Sequence, residues 1–201
     1  HFTPNYNPWD QRMCLVPNGD LFESIKNKKA SVVTDQIDHF TDKGIKLKSG
    51  DELGADLVVT ATGLNMELLS NIELIVDEEK IDLSKTITYK GMMFSGVPNL
   101  VSTFGYTNAS WTLGADLTSE YVCRLINLME KKSLKKCCPE ANDNIEKDEN
   151  YLNLSSGYIE RSKNIFPKQG KKKPWKNNQN FIKDVFQIRY GEIKDGDMKF
   201  S

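Results

Sequence analysis

An α/β fold built on a parallel sheet is what this sequence predicts, and two segments carry the prediction. Asp56 to Gly63 is an apolar, β-branched run closed by an acid at one end and a glycine at the other. That is the pattern of a strand buried on both faces, and such strands sit in parallel sheets. Leu113 to Lys131 sets Leu117, Tyr121, Val122, Leu125, Ile126 and Met129 three and four residues apart, the spacing of a long amphipathic helix. The composition agrees with a globular chain: of 201 residues, 38% are hydrophobic and 27% charged, which fits neither a fibrous nor a disordered class. Opposite charges nearly cancel to a net −1, so there is no broad positive field of the kind a dedicated nucleic-acid surface needs.

Taken in order, Pro4, Pro8 and Pro17 bias residues 1–18 to extended loop. Asp20 to Lys28 places Leu21, Phe22 and Ile25 at helical spacing, and the β-branched Ser31 to Thr34 reads as a short strand. Ile45-Lys46-Leu47 alternates before the turn residues Ser49-Gly50-Asp51, a hairpin signal leading to a second pairing segment that ends at Ala55. Thr86 to Phe94 and Asn99 to Phe104 read as strands separated by a turn at Ser95-Gly96-Val97-Pro98. Thr112 or Asn108 is the expected cap of the long helix. Residues 131–150 are charged and poor in apolar side chains, the composition of an exposed linker. Beyond them only Phe181, Ile182, Val185 and Phe186 show helical spacing, so the tail is expected to pack on a larger body.

Chemistry points first to strand ends. Thr62-Gly63 closes the buried run, where a glycine lets backbone approach a ligand, and open α/β sheets bind ligands outside such ends. The loop Gly105 to Thr112 leads into the long helix, whose first N–H groups can face a phosphate or an electron-rich ring edge. Both glycines also fit ordinary turns. Arg12 can stack on an aromatic ring or hold an anion in its fork of donors, or it can pair with Asp10. Lys168 to Lys176 mixes basic residues with Trp175 and reads as a solvated loop or a phosphate contact. Cys14, Cys123, Cys137 and Cys138 have no metal spacing and read as reduced thiols; with only His1 and His39 present, no metal site or histidine-centred triad is expected. No glycine-rich dinucleotide turn GxGxxG is present, so the chain can contribute to a dinucleotide site without building one alone. No window approaches the roughly eighteen apolar residues of a membrane span, and the opening lacks a signal-peptide pattern; a cytoplasmic protein is expected.

Asp56-Leu57-Val58-Val59-Thr60-Ala61-Thr62-Gly63-Leu64 resembles the linker signature of class B flavin monooxygenases, the flavin-containing and Baeyer–Villiger enzymes. FTPNYNPWDQR, YKGMMFSGVPNL, FGYTNASWTLGADLTSEYVCRL, SGYIERS, PKQG and QNFIKD extend the likeness, toward the ethionamide-activating branch, from about Phe2 to Phe200. The resemblance implies the C-terminal portion of a two-dinucleotide-binding-domain flavoprotein fold, with an incomplete parallel sheet. Residues 1–62 would end an NADP-binding domain, 63–130 return to the FAD-binding domain with its long helix, 131–150 link, and 151–201 form a tail packed on the body. It implies FAD, NADPH and O2 as reactants and a C4a-peroxyflavin that oxygenates a ketone or a sulfur or nitrogen centre. Arg12 matches the family's active-site arginine. Gln11 stands where many Baeyer–Villiger enzymes have a lysine for the NADP 2′-phosphate, so that role is not carried over. Asn108, Ala109, Ser110, Trp111 and Thr112 match the segment against the flavin ring, and Thr62 and Gly63 the cofactor-binding turn. The FAD glycine motif, the Baeyer–Villiger fingerprint and the NADP glycine motif precede this stretch in the family. The missing N-terminal half is therefore an expected partner, and weak or no FAD binding is expected of these residues alone. A non-catalytic interaction module derived from the same fold is the alternative.

Overall fold

The computed structural model describes residues 1–7, 10–11, 14–148, 151–152 and 156–201, which fall into two compact units, His1–Leu64 and Asn65–Ser201. In the first, a 3-10 turn at Pro17–Gly19 runs into helix α1 (Asp20–Lys26), with Asp20 and Glu23 at its positive end and Lys26 at its negative one. Three strands follow as an antiparallel meander: β1 (Ile37–Thr41), β2 (Gly44–Leu47) and β3 (Glu52–Gly54). β2 sits in the middle, Ile45 facing Phe40 on one side and Leu53 on the other. The hairpin expected around Ser49-Gly50-Asp51 is formed, with Leu47 N donating to Asp51 O at 2.9 Å and Gly50 N to Leu47 O at 3.0 Å. Ser31 to Thr34, expected as a strand, is irregular; pairing begins only at Ile37.

Asp56 to Gly63 departs further from expectation. It forms no strand, and Leu57 is 80% and Val59 78% exposed. An interior strand needs hydrogen-bonding neighbours at both edges and cover on both faces, and among the described residues none pairs with it. Every ladder among the described residues is antiparallel; one isolated bridge, Ile87 to Lys168, is parallel.

The second unit is organised around helix α2, Trp111–Lys131. Gly114, Leu117, Thr118, Tyr121 and Leu125 are its buried face, spaced so that all five fall on one side of the helix. Leu117 and Tyr121 are fully buried, and an apolar side chain buried like Leu117 contributes roughly 1.5–3 kcal/mol. Ile126, assigned to the stripe by its spacing, is instead exposed because the covering elements reach only the narrower face. Packed with α2 are Ile87, Tyr89, Met92 and Met93 from one hairpin, together with Cys137, Trp175, Ile188 and Met198. That hairpin corrects the expectation of one strand over Thr86–Phe94. The chain reverses at Lys90 and Gly91, both at positive φ, so that β6 (Thr88–Tyr89) pairs with β7 (Met93–Phe94). β4 (Ile75–Val76) and β5 (Glu79–Lys80) form a smaller hairpin ahead of it. Asn99 to Phe104 forms no strand; Asn99, at φ 55°, opens it in a turn.

The exposed linker expected over 131–150 also fails at its centre. β8 (Cys137–Pro139) is buried and pairs antiparallel with the C-terminal β11 (Met198–Phe200), Cys138 facing Lys199. Short apolar runs inside charged sequence are invisible to composition when the partner strand lies some sixty residues away. β9 (Lys147–Asp148) likewise pairs with β10 (Gln169–Gly170). Helix α3 (Gly157–Ser162) lies between them in sequence, and Tyr151, Leu152, Ile159 and Phe166 form a second buried cluster. Helix α4 (Phe181–Asp184) continues as a π-helical turn, Val185–Arg189. Arg124 of α2 holds this end, donating to the carbonyls of Ile188, Arg189 and Gly191 at 2.7, 2.6 and 2.8 Å. The tail therefore packs on α2 and contributes to the same core.

Candidate functional site

Gly105 to Thr112 and the opening turn of α2 form the candidate site. The loop doubles back tightly on the helix it feeds. A side chain at Gly105 would collide with the Trp111 indole and stand 2.7 Å from Trp111 Cα; one at Gly114 would stand 2.9 Å from Phe104 O and 3.2 Å from Gly105 Cα. Glycine is required at both positions because loop and helix touch there. The space freed at Gly105 is filled by Trp111, which also packs on Phe104 with ring centroids 5.1 Å apart. The helix N-cap is Ser110, without a side-chain bond to the helix backbone; its Oγ meets Thr112 Oγ1 at 2.7 Å. Neither Thr112 nor Asn108 caps the helix, because it starts at Trp111 and so takes Thr112 into its first turn.

Asn108, Ala109, Ser110, Trp111 and Thr112 are all exposed, and the first turn of α2 carries no acidic residue. A helix start leaves N–H groups without intrahelical partners and a partial positive charge, neutralised here by no carboxylate in that turn. The surface can thus receive an electron-rich edge.

Behind this exposed edge the loop is pinned by the tail. Gln179 Oε1 accepts from Thr107 N at 2.9 Å and its Nε2 donates to Gly105 O at 3.3 Å. Tyr106, buried between them, donates its hydroxyl to Asp184 Oδ2 at 3.0 Å, and Asn178 Nδ2 donates to Asp184 Oδ1 at 2.8 Å. Burial pushes the Asp184 carboxyl above its ordinary value in spite of the donors from Asn178 and Tyr106; burial, then Asp184 itself, pushes the Tyr106 phenol up. A polar cavity of about 20 Å³ lies here, lined by Lys90, Tyr106, Thr118, Asn177, Gln179 and Asp184 among others, enough for one water molecule.

Lys90, almost wholly buried, pairs with Asp195 at 3.0 Å and donates to Glu192 O at 3.0 Å, with the rings of Tyr89 and Tyr121 each 5.0 Å from its Nζ. Burial lowers the Lys90 ammonium despite Asp195. Burial also pushes the Asp195 carboxyl up, but the bonds from Tyr89 and Lys90 outweigh it and hold the group below its ordinary value. Burial raises the Tyr121 phenol to about 12 and raises both the Cys137 and Cys138 thiols, as befits unreactive core cysteines.

Of the residues singled out from sequence, Asn108 to Thr112 are brought together at the start of α2. Thr62 and Gly63 lie exposed in the first unit, Gly63 at φ 108°. Arg12 lies outside the described residues. His39 is exposed and bonded to Asp38, and Lys171 pairs with Glu146. Gln179, Asp184, Lys90 and Asp195 were missed by sequence reasoning: the bonds from Gln179 to Thr107, Asp184 to Tyr106, Lys90 to Glu192 and Asp195 to Tyr89 each close more than seventy residues, and no local pattern marks them.

Comparison with known proteins covers the chain from end to end. Over 201 residues it is 49% identical to the FAD-containing monooxygenase EthA of Mycobacterium tuberculosis and 47% identical to EthA of Mycolicibacterium smegmatis, in each case all of this chain and 41% of the relative. It is 46% identical over 201 residues to “Probable FAD-binding monooxygenase AlmA” of Acinetobacter baylyi, covering 40% of that protein. The chain thus spans about two-fifths of the length of these curated relatives. No protein-family model and no solved structure matches it. Among the described residues no helix is long and apolar enough to cross a membrane.

Proposed function

We propose, from the premise that this chain belongs to the flavin-containing monooxygenase family, that in its intact form it is an FAD-dependent, NADPH-consuming monooxygenase of the cytoplasm. Its reaction is oxygenation of a ketone, in the Baeyer–Villiger sense, or of a sulfur or nitrogen centre. The residues here would belong to the C-terminal portion of a two-dinucleotide-binding-domain fold, completed by a segment bearing the glycine-rich turns. The observation that carries the reading is the exposed, acid-free start of α2 together with the residues that lead into it, Asn108–Thr112.

The fit to FAD is specific to one end of the cofactor. The helix start would suit the electron-rich pyrimidine edge of the flavin ring, and Asn108 to Thr112 are the residues that would hold it. The pyrophosphate has no glycine-rich cradle in these 201 residues, so nothing here is assigned to it. FAD, when bound, would supply the activation of O2. In the second unit the helix start would stabilise negative charge at a ring edge and Trp111 and Phe104 would shape an apolar surface; separately, Arg12 would hold an anionic centre and the nicotinamide in its donor fork, as the family likeness implies. Thr62 and Gly63 belong to the cofactor-binding turn.

The test is an absorbance spectrum of the intact protein, with NADPH oxidation and O2 uptake followed on ketones and thioethers. Bound flavin and substrate-dependent NADPH use support the proposal; a flavin-free protein inert to NADPH sinks it. Arg12→Ala is expected to abolish oxygenation with FAD still bound, and unchanged oxygenation would remove its catalytic assignment.

A further inference from the structure

We propose that Gln179 is a positioning residue for the flavin-facing loop, acting through the backbone on either side of Tyr106; the inference rests on the reading of that loop given under Proposed function. One amide side chain serves both ends of a two-peptide span, accepting from Thr107 N at 2.9 Å and donating to Gly105 O at 3.3 Å. Its Nε2 also reaches Asn177 Oδ1 at 3.4 Å. The span it bridges ends one residue before Asn108, so its orientation sets where Asn108–Thr112 begin. Neither a lysine nor an alanine could do this, since the task needs a donor and an acceptor on one planar group.

Two further observations support the role. Gln179 has φ 48°, the left-handed region that residues with a side chain rarely adopt, and such backbone persists only where surrounding contacts hold it. Tyr106, inside the bridged span, is tied by its hydroxyl to Asp184, and Asn178 joins Asp184 to Gln187 at 2.8 and 2.9 Å. The tail segment therefore fixes the loop by backbone and by side chain together. Removing the Gln179 amide releases the backbone anchors while leaving the Tyr106 anchor in place. The loop can then shift relative to α2 without unfolding of the core.

The experiment uses the flavin-bearing intact protein with Gln179→Ala and Gln179→Glu. Hydrogen exchange is measured over 105–112, with β8 and β11 as control, beside FAD retention and the visible flavin spectrum. Gln179→Ala is expected to raise exchange over 105–112 alone, to weaken FAD retention on the order of tenfold and to alter the flavin band shape. Gln179→Glu keeps the acceptor for Thr107 N but loses the donor to Gly105 O, and should fall between wild type and alanine. Unchanged exchange, or raised exchange with the flavin spectrum and retention of wild type, overturns the positioning role. If Gln179→Ala exchanges faster everywhere, the glutamate variant decides by the same criteria. Wild-type protein without flavin would instead overturn the reading on which the inference rests.

Discussion

Gly105→Ala tests the contact that shapes the candidate site. The added methyl would collide with the Trp111 indole and lie 2.7 Å from Trp111 Cα, closer than carbon atoms pack, so either the indole turns away or α2 withdraws from the loop. Overpacking of this kind costs about 1–3 kcal/mol, while a glycine-to-alanine change returns about 0.4–1 kcal/mol through the unfolded chain. The expected net loss is roughly 1–2 kcal/mol. Trp111→Ala removes the indole collision and leaves the one with the helix backbone. In that background the penalty should shrink but persist, giving a coupling of about 1 kcal/mol. Urea unfolding of the four proteins followed by circular dichroism, with slopes unchanged, reads the cycle directly. An equal penalty in both backgrounds would show that the indole does not occupy the space glycine frees, and a stabilising Gly105→Ala would refute the close packing of loop on helix.

The buried pair is asymmetric. Asp195→Ala strands the Lys90 ammonium with Glu192 O and two ring faces and should cost about 3–5 kcal/mol. Lys90→Met leaves Asp195 bonded to Tyr89 at 2.6 Å and to Met198 N at 3.2 Å, and should cost clearly less in the same denaturation assay; the reverse order would refute the assignment. Because the folded carboxyl of Asp195 is held low, its contribution is present above the ordinary aspartate pKa and is lost as pH falls through the lowered value. Acid unfolding of Asp195→Asn should therefore be shallower than that of wild type. Asp184 has the opposite sign: its raised carboxyl contributes stability below the ordinary aspartate pKa that is lost as pH rises through the raised value. Asp184→Asn should match or exceed wild type in thermal melts at pH 7, whereas Asp184→Ala should fall about 1–3 kcal/mol below it through lost bonds to Tyr106 and Asn178; a destabilised asparagine variant would argue against the burial cost. Arg124→Ala removes the donors at the end of the π-helical turn and should cost about 2–3 kcal/mol, with amide exchange quickened over 185–191; protection unchanged there would mean that the turn holds itself.

By itself the sequence determined what is local. Helix α2 was legible because Leu117, Tyr121 and Leu125 recur on one face of a single segment, and the β2–β3 hairpin because Ser49-Gly50-Asp51 is turn chemistry between alternating residues. The family was legible through motif likeness along the chain. Tertiary structure decided everything that needed a distant partner. Asp56 to Gly63 has the composition of a buried strand, yet a strand exists only where neighbours complete its hydrogen bonds, and the described residues offer none. Cys137 to Pro139 sits in sequence that reads as solvated linker, yet it is core because Met198–Phe200 pairs with it. The same holds for Gln179 and Asp184 beneath the candidate site. A hydrogen bond closing a span of more than seventy residues leaves no periodic trace along the chain, because periodicity records only what one element does with its own face.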